Sequence, residues 1–291
     1  MRGVPLGLGV AGMVLALAAA GSARGDGFSF KTVDFPGAEG TTGDGTINDL
    51  RQVGDTYLDA DFAPHGFTVL ANRFRKIDFP GSTGTEVFGE NDFGELVGPW
   101  YDTDFNVHGY RYFLGKYTAI DAPGAVLMVA SGINLFGQIV GLYFDQNGKA
   151  HGFSQARDGS GFETIDIPNA RRTEAFGVND LGQVVGFYTD QQRAPHAFLR
   201  SNGVLTTIDV PGATGTVGEA INDFGQIVGY FFDADGVEHG FLLDHGVFST
   251  IDVPGTTGTR AFGINNLGDI AGPYGTGDGS VSHVFVAHRT R

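Results

Sequence analysis

The chain has 291 residues, 48 of them Gly and none Cys, and 33 acidic against 18 basic side chains give a net charge of −15 at pH 7. This acidity argues against nucleic acid and anionic membrane surfaces as partners, and the lack of Cys excludes disulfides and a lipobox anchor. A hydrophobic content of 41% excludes a disordered chain.

Residues 1–23 read as a secretory signal: Arg2, an apolar run from Val10 to Ala20, then small residues suited to cleavage. The mature protein, 24–291, is then expected to be secreted, extracellular or periplasmic, with no stable membrane span after cleavage. From Phe28 onward the chain repeats. The Asp of "VDFP", "IDFP", "IDAP", "IDIP" and "IDVP" falls at 34, 78, 121, 166, 209 and 252. Asn48, Asn91, Asn134, Asn179, Asn222 and Asn265 keep the same period of about 43 residues.

Each unit offers four strand-like runs. In 216–254 these are "TVGEAIN", "QIVGYFF", "HGFLL" and "VFSTIDV", separated by "NDFG", "DADG" and "DHG". Four strands repeated six times predict an all-β, six-bladed β-propeller with four-stranded antiparallel blades. Small residues two before each Asn suit an innermost strand crowded near the axis. The chain begins with a fourth-type strand at 28–36 and ends with a third-type strand at 282–290. Pairing the two closes the ring and removes an open edge. One domain spans 24–291.

A His precedes the Asp of each hairpin by 13 residues, or by 15 in one unit, and an added pair of residues preserves facing. The expected pairs are His65–Asp78, His108–Asp121, His151–Asp166, His196–Asp209 and His239–Asp252. His283 would meet Asp34 from the other end of the chain. Six copies around a ring point to a structural bond rather than an oriented catalytic base.

The unit "GxNDxGQIVGxYxDxxGxxHGF…TIDxPGA" resembles the bacterial extracellular HAF repeat, and the resemblance covers 28–290. "HAF" itself stands at His196 to Phe198; elsewhere the motif is "HGF", "HGY" or "HVF". Blade one departs with Arg51 at the turn Gly position. The resemblance implies secretion and a repeat architecture and brings no catalytic residues.

No nucleophile elbow, HExxH or phosphate loop is present. The expectation is a noncatalytic, monomeric module that binds a protein partner or a glycan through one propeller face. Trp100 is the candidate stacking platform, and Arg171 with Arg172 the candidate anion clamp. Leu127 and Met128 make one inter-blade connection unusually apolar. Acidic loops between second and third strands suggest calcium at Asp59, Asp61, Asp102, Asp104, Asp233 and Asp235, although ordinary Asp turns have the same composition. No other cofactor is implied. Two alternatives stay open: a metal-dependent hydrolase or lactonase using axial carboxylates, for which Glu90 and Glu219 are the first-strand candidates, and a structural cell-surface protein.

Overall fold

The computed structural model describes residues 22–25, 27–41, 45–122, 124–276 and 282–290. The signal assigned to 1–23 therefore lies almost entirely outside the described residues. The molecule is a six-bladed β-propeller of antiparallel blades, and no helix occurs among the described residues. Blade five shows the plan. Gly215–Ile221 is innermost, followed outward by Ile227–Phe232, Glu238–Asp244 and Val247–Ile251. In blades one, two and six the innermost strand is split into two short pieces on the same neighbour.

The ring closes as the terminal strands require. Phe28–Thr32 pairs antiparallel with His283–Arg289, from Phe28 opposite Arg289 to Thr32 opposite Phe285. A further strand, Ser22–Gly25, extends this blade outward by pairing with Phe28–Thr32.

Period-two alternation sends one face of each blade onto its neighbour, and the core lies between blades. The aromatic residue of each "HxF/Y" motif is buried there: Phe67, Tyr110, Phe153, Phe198, Phe241 and Phe285. Each such burial contributes roughly 1.5–3 kcal/mol. Met128 packs in the core with Val97, Ala130 and Phe153, so it is an inter-blade packing residue. Near the axis the inner strands nearly touch. A side chain at Gly132 would place its Cβ 2.4 Å from the Phe176 carbonyl oxygen of the next blade. Each inner strand of blades three, four and five also carries a bulge, at Ser131, Phe176 and Glu219.

Candidate functional site

Three polar features stand out from the apolar blades. The first is the loop face at the second-to-third strand turns. The six repeat His residues all bond through Nδ1 to their hairpin Asp, at 2.8–3.1 Å, including His283 to Asp34 across the closure. In five blades Nε2 turns to the first Asp of the adjacent loop, as in His65–Asp59 at 3.1 Å and His239–Asp233 at 3.3 Å. Burial opposes the charge on His108 and His239, but their two Asp partners outweigh it and raise both above the ordinary imidazole value. An aromatic ring from the second strand stacks on each imidazole.

This arrangement gives aspartates of the acidic loops a role in the fold itself. Asp59, Asp102 and Asp233 each use Oδ1 to accept two backbone N–H groups of their own turn and Oδ2 to meet the His. Hydrogen bonds from Asn106 hold the Asp102 carboxyl down at about 2. Asp61, Asp104 and Asp235 stay exposed. Among the described residues no group of three or more His, Cys, Asp or Glu is arranged to hold a metal ion. These carboxylates brace turns.

Trp100 has no free face for a sugar. Phe79 stacks on one side, with ring centroids 4.1 Å apart, and His108 on the other at 4.7 Å. Arg171 and Arg172 do not form a clamp. Arg172 lies over the Phe187 ring and meets Glu174 at 3.3 Å, whereas the Arg171 side chain is exposed.

The second feature is a cleft of about 340 Å3 between blades five and six, lined by Glu238, Thr257, Arg260, Phe262, Tyr274 and Ser282 among others. Arg260 occupies a position held by Glu86, Val129, Glu174 and Val217 in blades two to five. Glu238 of blade five grips it twice, Nε to Oε2 at 2.7 Å and one terminal nitrogen to Oε1 at 2.5 Å. Tyr230 lies beneath the guanidinium at 4.8 Å. Glu238 engages two of the five guanidinium N–H donors, and the group is held in a fixed plane.

The third feature is the axis. Each repeated Asn closes its own turn and also donates to the Asn carbonyl of the next blade. The six bonds run from Asn48 through Asn91, Asn134, Asn179, Asn222 and Asn265 back to Asn48, at 3.0–3.3 Å. The following residues form a parallel circuit of backbone N–H to side-chain oxygen, through Asp49, Asp92, Asp180, Asp223 and Asn266, broken at Leu135. These residues line a shallow mouth that leads to a cavity of about 220 Å3 in the channel. The mouth pushes the Asp92 carboxyl up, by burial first and then by repulsion from Asp49, Asp180 and Asp223.

Inside, two layers depart from the repeat. The residue before each Asn is Ile47, Glu90, Ile133, Val178, Ile221 or Ile264. The residue three before it is Gly45, Phe88, Ser131, Phe176, Glu219 or Phe262. Both nominated carboxylates, Glu90 and Glu219, thus line the channel, on the opposite blades two and five. Burial pushes each carboxyl well above its ordinary value; Gln52 partly offsets this at Glu90, and Arg260 at Glu219. Ser131, Arg260 and Glu238 were not singled out from the sequence. The first two stand where the other units carry different residue types.

No protein-family model matches the chain, and no curated protein matches its sequence. Solved structures do resemble the fold. The SapL1 lectin, solved with alpha methyl fucoside, aligns with a TM-score of 0.58 at 11% identity over 89% of this chain and 94% of its own. AofleA from Arthrobotrys oligospora aligns at 0.54 and 12%, covering 91% of this chain and 90% of its own. The six-bladed fucose-recognising lectin of Aleuria aurantia aligns at 0.50 and 11%, covering 81% and 89%. At these identities the likeness establishes the six-bladed propeller fold.

Proposed function

We propose that the chain is a noncatalytic glycan-binding propeller whose sugar site is the cleft between blades five and six. The observation that carries this reading is Arg260. Its guanidinium is held in plane by Glu238, backed by Tyr230 and set in an open cleft beside Phe262 and Tyr274. A sugar ring needs planar donors and acceptors for its hydroxyls and an apolar surface for its C–H face. Here both come together, on blades that otherwise repeat. Lectins of the same fold were solved with fucosides, and this makes a fucoside the first ligand to try. The His–Asp pairs support a noncatalytic role, since each braces its own hairpin in six equivalent copies. Secretion, with 1–23 as a cleaved signal and the blades as HAF-type repeats, belongs to the same proposal.

The test is a glycan array followed by calorimetric titration with alpha methyl fucoside and the best array ligands. Arg260→Ala and Glu238→Gln should each weaken binding at least tenfold while the thermal melt stays cooperative. Full affinity in both variants would remove the cleft as the site, and no hit on any glycan would remove the reading itself.

A further inference from the structure

Two polar atoms inside the channel have no hydrogen-bond partner among the described residues: Glu90 Oε1 and Ser131 Oγ. Their residues are 8% and 6% exposed, and both line the 220 Å3 cavity. Glu90 does use its other oxygen, which accepts from Gln52 at 3.0 Å. Buried polar atoms left without partners destabilise a fold and ask for an explanation. The blade supplies none. At the Glu90 level the other five units carry Ile or Val, and at the Ser131 level three of the other five carry Phe. The propeller can therefore be built without either group.

The lining fixes the chemistry of a ligand. Glu90 and Glu219 face the cavity from opposite blades, and no Lys, Arg or His lines it. Entry from the Asn end passes Asp49, Asp92, Asp180 and Asp223, which concentrate cations at the mouth. The walls are apolar and aromatic, with Phe88, Phe176 and Phe262 on alternate blades. Outside the mouth, each turn leaves one large apolar side chain exposed: Leu50, Phe93, Phe136, Leu181, Phe224 and Leu267. Carboxylates among phenyl rings suit a cation with a hydrocarbon body, whose charge is also attracted to ring faces. They do not suit a bare metal ion, since no group of three or more ligating side chains converges among the described residues.

We propose that the axial channel binds a small organic ammonium ion, with its charge at Glu90 and Glu219 and its apolar body against the Phe walls. This goes beyond the glycan reading and does not rest on it: the two sites share the Phe262 ring, but Glu90 lines the channel and not the inter-blade cleft.

The experiment is calorimetric titration of the full chain with benzylammonium, benzyl alcohol as the neutral isostere, and calcium chloride. Saturable one-to-one binding of benzylammonium is expected, with benzyl alcohol at least tenfold weaker. Glu90→Gln and Glu219→Gln should each lose at least tenfold, and Ser131→Ala less. Both Gln variants keep shape and remove the group that can ionise against a cation; should either fail to fold, the other carries the test. Four results would overturn the proposal: no binding of benzylammonium, equal binding of the alcohol, unchanged affinity in the Gln variants, or calcium binding in its place.

Discussion

At the scale of the single residue, the informative positions are those where one blade departs from the other five. Glu90 is the sharpest case, a carboxylate in a layer of Ile and Val. Burial raises its carboxyl well above the ordinary 4.5, so ionisation costs more in the folded state than in the unfolded one. The sign follows. The favourable contribution is fully present below 4.5 and is lost as pH rises through the folded value. Glu90→Gln should therefore match the parent near pH 4.5 and exceed its stability at pH 8 by about 1–2 kcal/mol, on the scale of a poorly satisfied buried group. Urea unfolding at both pH values measures this. An equal difference at the two would show that the carboxyl ionises as freely folded as unfolded. Function at the expense of stability is a common pattern at binding sites.

At the scale of the element, the Asn turn does two jobs. Asn222 accepts from the backbone N–H groups of Phe224 and Gln226 and donates across the blade boundary to the Asn265 carbonyl at 3.1 Å. It is buried, so Asn222→Ala should cost about 2–3 kcal/mol by stranding several groups at once. His239→Ala should cost less, under about 1 kcal/mol, because its partner Asp252 is nearly half exposed. Equilibrium unfolding of the two variants ranks them, and the reverse order would mean that the His–Asp bond rather than the Asn circuit holds the blade. Blade one shows how firmly this turn is imposed. Arg51 replaces the turn Gly, yet takes a left-handed φ of 63° and pairs with Asp269 at 2.7 Å. Such a backbone costs a non-Gly residue roughly 1–2 kcal/mol.

At the scale of the whole molecule, closure is carried by strands from opposite ends of the chain. Phe30 packs edge-on to Phe285 at 5.5 Å and is 4% exposed. Phe30→Ala should remove about 3–5 kcal/mol, as for other large-to-small changes in a packed core. The denaturant midpoint reads this, and an unchanged midpoint would mean that the Phe30 contact does not contribute to closure. No helix of the described residues is long and apolar enough to cross a membrane.

The period, the four strands per unit, the ring and its closure are legible in the sequence, because a repeat with complementary end strands leaves few other ways to bury every blade face. The sequence also placed His239 and Asp252 together, since a hairpin turn fixes which residues oppose. Which side chains meet across blades depends on the assembled ring. Trp100 loses its second face to Phe79, 21 residues earlier in the connection that leads into its blade. Arg260 finds Glu238 across the blade boundary. The Asn residues read as turn formers, and their second bond exists only once the ring has closed. Strict alternation also fails at the inner bulges, where one extra residue shifts the facing and turns Ser131 and Glu219 toward the axis. Local pattern specifies a blade, but the contents of the channel and the clefts depend on six blades meeting.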